Sequence, residues 1–226
     1  MPPFGIPIEN YSTEIIYSFV IMFCSLMVFT GTKKLYELSS HKGIGYLRES
    51  FLFFAIAFFF GSFIKIFFTL AKTPLLTGIS HAIFQSLSLF IFIYFSSIAV
   101  FYLVYSMMWK RWNGHSKKIW LFHTIALVIS IVSILLNNSM IYLLINILIL
   151  IFILISLYFV NKDSKNKKRK SSLYAIYILL FIFWMLNVID ILIPNFLQTF
   201  QLIVYLASIT IFMIILYKVL KKAGSN

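Results

Sequence analysis

Apolar residues in this chain do not alternate with polar ones; they run on. Residues 12–32, 49–71, 82–108, 119–136, 140–160, 172–193 and 196–217 are each long apolar runs with few charges. A run of about 18 or more such residues is long enough to cross a bilayer as an α-helix. The pattern predicts an all-α, polytopic membrane protein of seven transmembrane helices, with residues 1–226 as a single seven-helix domain. Turn residues punctuate the runs: Pro74 and Gly78 between helices 2 and 3, Asn137, Asn138 and Ser139 between 4 and 5, Pro194 and Asn195 between 6 and 7. Such residues end helices for backbone reasons. No polar domain or linker is expected beside the helices.

Composition agrees. Hydrophobic residues make up 62% of the chain and charged ones 11%, against about 25% charged in soluble domains; the mean hydropathy is +0.98. In hydrocarbon every backbone N–H and C=O must be satisfied within its own segment, which favours helices.

Charge adds an orientation. Of the 19 Lys and Arg, 17 fall in four places: Lys33, Lys34, Lys42 and Arg48; Lys110, Arg111, Lys117 and Lys118; Lys162, Lys165, Lys167, Lys168, Arg169 and Lys170; and Lys218, Lys221 and Lys222. In a seven-helix threading all four lie on one side, and the other side has Lys72 alone. The positive-inside rule makes the basic side cytoplasmic, with the N-terminus outside and the C-terminus inside. The first fourteen residues hold Glu9 and Glu14 and no Lys or Arg, so helix 1 does not read as a cleaved signal peptide. The net charge of +13 then reads as a topology signal, not a nucleic-acid surface. Membrane lipids are the expected partners, and the 162–170 run could touch anionic headgroups. Cys24, the single cysteine, has no intramolecular partner and leaves the redox compartment open.

Ionisable groups at membrane depth are candidate functional groups. Lys65 lies about 9 Å inside the outer end of helix 2, and Asp190 about 6 Å inside that of helix 6, at 1.5 Å per residue. They have opposite sign and similar depth, and pairing would lower the cost of burying either. Other polar residues gather at that depth. His81, Gln85 and Ser88 share a face of helix 3; Asn187 lies one turn from Asp190; Gln201 and Tyr205 form a stripe on helix 7 with Gln198; helix 1 adds Glu14, Tyr17 and Ser18. Trp184 lies deeper in helix 6 as a possible ligand plate. An outward-open pocket between helices 2, 3, 6 and 7 is expected. Each residue also has a plainer reading. Lys65 could snorkel to the headgroups, Asp190 could cap helix 6, His81, Gln85 and His123 could sit at an interface, and the amides could tie helices together.

A shift of 125 residues places helices 1 and 2 on helices 5 and 6. Tyr17 then meets Tyr142, Lys42 meets Lys167, and Ser62–Lys65 meets Asn187–Asp190. Helix 4 is left as the connector of a possible 3+1+3 parallel repeat, a plan known among transporters.

Enzyme chemistry finds little support. His41, His81, His115 and His123 make no HExxH or HxxxH spacing, no GxSxG or P-loop occurs, and no GxGxxG is present. A non-enzyme without cofactor or metal is expected. Seven helices with an outside N-terminus resemble microbial rhodopsins and seven-helix receptors, and Trp184 looks like their mid-membrane tryptophan. The middle of helix 7 reads YLASITIFMII with no lysine before Lys218, so covalent retinal is excluded. HKGIGYLRESFLFFAIAFFF, residues 41–60, is similar to the second-helix entry of archaeal seven-helix proteins of unassigned function. Two functions fit. A sensor would bind an unknown small molecule outside and meet a cytoplasmic or membrane signalling partner. A small-solute transporter would resemble the PQ-loop sugar transporters, though no PQ dipeptide and no proline inside a helix core occurs. A structural subunit of a membrane complex is the third possibility.

Overall fold

The computed structural model describes residues 11–70, 79–109, 111–112, 117–136, 138–165, 172–192 and 198–224. They form α1 (Tyr11–Ser39), α2 (Lys42–Leu70), α3 (Ile79–Met108), α4 (Lys117–Leu136), α5 (Ser139–Lys165), α6 (Ser172–Leu192) and α7 (Gln198–Gly224), with no strand among the described residues. Each of the seven is long and apolar enough to cross a membrane. The chain is a multi-pass integral membrane protein.

Several helices outlast the apolar runs that predict them. The sequence pattern ends helix 1 at 32 and starts helix 2 at 49, but α1 continues to Ser39 and α2 begins at Lys42. Lys33, Lys34, Lys42 and Arg48 are therefore helical and not loop residues. The reason is simple: a membrane run ends at its first charge, whereas a helix ends at a breaker, and Lys, Glu and Leu are good helix formers. Lys33 and Glu37 even form an exposed i,i+4 ion pair of 3.9 Å, of the kind that supports helices weakly. What stops α1 is Ser40, at φ 48°; its N–H bonds the Tyr36 carbonyl at 2.8 Å, a left-handed C-terminal cap. At the start of α5 the Asn138 side chain accepts from the Met140 N–H at 2.9 Å, an N-cap.

Each helix packs against its neighbours in sequence where both are described, except α4, which sits chiefly on α3 and lightly on α5. Contacts between α3 and α5 and between α1 and α7 close a ring of α1, α2, α3, α5, α6 and α7. Phenyl rings fill its middle. Phe183 meets Phe212 edge-on at 4.6 Å, and Phe54 meets both at 6.2 and 6.3 Å. Phe51 and Phe58 extend the cluster along α2. Edge-to-face packing suits the ring quadrupole. In lipid, where tails are as apolar as side chains, such close packing supplies much of the cohesion.

Two glycines let helices approach. A Cβ on Gly61 would lie 3.2 Å from Phe92 on α3. One on Gly43 would lie 2.7 Å from the Trp109 indole. Gly43 also offers its carbonyl to the Ser106 hydroxyl at 2.6 Å, and Ser106 shares a 2.8 Å bond with the Tyr177 hydroxyl, which ties α2, α3 and α6 together. Farther along α2, Ser50 donates to the Ala99 carbonyl of α3 at 2.6 Å. The Arg48 guanidinium donates to the Phe29 carbonyl of α1 at 3.1 Å and covers its ring at 4.1 Å.

Two substitutions at the α1–α2 turn are expected to act with opposite sign in thermal unfolding of the purified protein. Ser40→Gly relieves a left-handed residue and gains about 1 kcal/mol. Gly43→Ala pushes into the indole and costs about 1–3 kcal/mol.

Candidate functional site

The helices begin and end at two chemically different levels. One end carries the lysines of the loops and is called here the basic end. At the other, where α1, α5 and α7 begin and α6 finishes, Glu14 and Asp190 give an acidic end.

Tyr17 is the centre of the acidic end. Two turns into α1, it is buried and stacks on Tyr205 of α7, with centroids 4.5 Å apart and planes 13° from parallel. The edge of Phe58 closes one side at 5.9 Å. Ser208, fully buried on α7, lies beside the Tyr17 hydroxyl. Gln201 donates its amide to the Tyr205 hydroxyl at 2.9 Å, one turn away on α7. The carboxyl groups of Asp190 and Glu14 lie within electrostatic range of both phenols, and Asp190 also of Tyr142 on α5. Asn146 donates to the Tyr142 carbonyl at 2.9 Å, and Asn187 to the Phe183 carbonyl at 2.9 Å. Both amides thus spend a donor on their own helix, a common way to satisfy polar groups in hydrocarbon.

Asp190 of α6 thus acts electrostatically on phenols of α1, α5 and α7. Of the residues read as ligand-binding from the sequence, Asp190, Gln201 and Tyr205 belong to this group, with Asn187 one turn away on α6. The side chains of Lys65, His81 and Gln85 lie outside the described residues, so their meeting with Asp190 does too. Ser88 is buried on α3. Trp184 is 6% exposed, and its indole N–H meets no acceptor among the described residues. Tyr142 and Ser208 enlarge the set. Their signal in the sequence was faint: Tyr142 passes for an interface aromatic, and Ser208 for an isolated hydroxyl deeper in helix 7.

Among the described side chains, the space between α2, α6 and α7 holds the rings of Phe54, Phe183 and Phe212; the side chains of the outer ends of α2 and α3, where the pocket is expected, lie largely outside them. The described cavity instead lies on the flank of α3 and α4, lined by Ile83, Ser86, Leu87, Phe90 and Ile134. It is apolar, as a groove facing lipid would be.

In sequence the chain is similar to an archaeal protein. It is 30% identical over 235 aligned positions to an uncharacterized protein of Archaeoglobus fulgidus, covering 98% of this chain and 97% of that one. The chain belongs to that protein's family. The relative matches at full length, so the helical domain as a whole is the shared unit. No family model and no solved structure matches the chain. The likeness to microbial rhodopsins thus rests on the number of helices.

Tyr205 separates ring from hydroxyl. Tyr205→Phe keeps the stack on Tyr17 and loses the Gln201 bond, at about 1 kcal/mol. Tyr205→Ala removes the stack as well and costs about 3–5 kcal/mol. Thermal unfolding in detergent should show this order; equal losses would mean that the stack contributes nothing.

Proposed function

We propose that this protein is a non-enzymatic membrane sensor whose ligand site is the polar group around Asp190, facing outward. The observation that carries this reading is the stack of Tyr17 on Tyr205, with Gln201 bonded to the Tyr205 hydroxyl and the carboxyl groups of Asp190 and Glu14 in electrostatic range of both phenols. Polar groups at membrane depth are costly, so their gathering at one end needs a use. The orphaned N–H of Trp184, one turn before Asn187, adds a donor that a ligand could satisfy; buried groups of this kind mark functional places. The lysine-rich end then lies in the cytoplasm and is the surface for a signalling partner.

A transporter of 3+1+3 build is the second reading, and one contact favours it. Phe58 and Phe183 are 125 residues apart, the spacing of the weak repeat, and their rings meet at 6.4 Å. The order of the ring also allows α1–α3 to exchange with α5–α7, leaving α4 outside. Against transport stand the helices, which run unbroken over their ranges. Broken helices are the usual means of freeing backbone groups for a substrate.

The test has two parts. The purified protein and its Asp190→Asn variant are screened by thermal shift against amino acids, sugars and organic amines. A compound that stabilises only the native protein supports the site, and a screen without any such compound counts against it. Uptake of that compound by proteoliposomes would replace the sensor with the transporter. The role of Lys65 is read by a double-mutant cycle. As the positive partner of Asp190, Lys65→Met costs about 3–5 kcal/mol, and Lys65→Met with Asp190→Leu recovers most of it. Additive losses would make Lys65 a snorkelling lysine.

A further inference from the structure

His123 lies on α4, six residues from Lys117 and so about 9 Å from the start of that helix. Its two ring nitrogens both face phenols of α3. Nδ1 is 2.9 Å from the Tyr94 hydroxyl, and Nε2 is 3.1 Å from the Tyr102 hydroxyl. Tyr94 and Tyr102 are eight residues apart, two turns and a little more, and so share one face of α3. The edge of Phe53 on α2 meets the imidazole at 6.4 Å. Elsewhere on α4 the Thr124 and Ser130 hydroxyls bond their own helix. Among the described residues the imidazole is thus the polar tie between α4 and the ring; the rest of that contact is apolar, with Phe122 against Phe101 and Tyr105.

We propose that His123 is a proton-operated latch, which holds α4 on α3 while neutral and lets it shift when protonated. A neutral imidazole has one N–H donor and one acceptor nitrogen, and a phenol can take either role. One tyrosine donates into the ring and the other accepts from it, so every group is satisfied. An imidazolium donates from both nitrogens. The phenol that had donated must then turn its O–H away. Around Tyr94 are the rings of Phe90 and Phe95, and around Tyr102 those of Phe53 and Tyr46; among the described residues neither phenol bonds a group other than the imidazole.

The charges nearby do not rescue the protonated form by direct contact. On α3 the titratable neighbours are Tyr94 and Tyr102 themselves. On α2 Glu49 and Tyr46 act electrostatically on Tyr102. No carboxylate is bonded to the imidazole, and no Lys or Arg side chain bonds it among the described residues. Protonation therefore exchanges a fully matched bridge for a half-buried cation with a hydroxyl that has lost its acceptor, and α4, which lies outside the ring, is the element able to yield. An ordinary histidine titrates between about pH 5 and 8, and its position near the basic end gives it access to solution there. The latch stands independently of the acidic end.

Spin labels report the motion. Leu121→Cys on α4 and Leu220→Cys on α7, both exposed, are introduced into full-length protein with Cys24→Ser and reconstituted in lipid nanodiscs. The inter-label distance is measured from about pH 8 down to about pH 5, across the histidine range. A second population displaced by about 2 Å or more, the scale of helix shifts in switches, should grow with one midpoint. His123→Phe should show that population at every pH. A native distance that does not respond to pH overturns the proposal, as does a response that persists in His123→Phe. If His123→Phe fails to fold, Tyr94→Phe takes its place: it leaves the ring and removes one bond, and it should move the midpoint. An unmoved midpoint overturns the latch.

Discussion

Hydrocarbon removes the usual reason for a protein to collapse. Lipid tails compete with Leu and Phe on equal terms, so helices cohere by close packing and by the few polar bonds they exchange. Two kinds of contact dominate this bundle accordingly. Phenyl rings interlock at its centre, where Phe54, Phe183 and Phe212 meet pairwise edge-on. Short hydroxyl bonds then fix pairs of helices, as Ser50 does with Ala99 and Ser106 with Gly43 and Tyr177. Neither could act without small residues at the points of approach, and Gly43 and Gly61 supply two of them.

The same constraint makes polar side chains informative. Most hydroxyls and amides in the spans bond a carbonyl one turn back, as Ser62, Ser130, Ser156 and Asn187 do. Those that meet another helix instead are the exceptions, and they fall into distinct groups: Tyr17, stacked on Tyr205 and beside Ser208 at the acidic end, His123 with its tyrosines between α3 and α4, and the ties around Ser50, Arg48 and Ser106. The ties hold the bundle. The first two groups lie where chemistry could be done.

Seven helices were legible because apolar length alone identifies a span. Their ends were less so, since charge stops a hydropathy reading before it stops a helix; Lys33, Lys34 and Arg48 are the residues that show it. Asp190, Gln201 and Tyr205 could be picked out as polar groups at one depth. Depth does not give rotation about the helix axis, however: helix 1 shows polar groups at that depth in the sequence, as helices 6 and 7 do, but Tyr142 on α5 does not stand out there. Lys65 remains a reading from depth and sign. In the sequence His123 reads as an interface residue. Its partners lie 29 and 21 residues away, and the clue available, two tyrosines on one face of α3, has meaning only once α4 is known to pack there.

The ring closes through its first and last helices. Tyr17 stacks on Tyr205, Cys24 lies 3.6 Å from the Met213 sulfur, and a Cβ at Gly31 would touch Leu220 at 3.1 Å. A chain made from its N-terminus can settle α1 on α2 early, joined by a short turn and the Arg48 clamp. The partner that completes Tyr17 emerges only when α7 does. Until then a half-built bundle displays one side of a seam, with the Tyr17 phenol and the Cys24 thiol facing lipid.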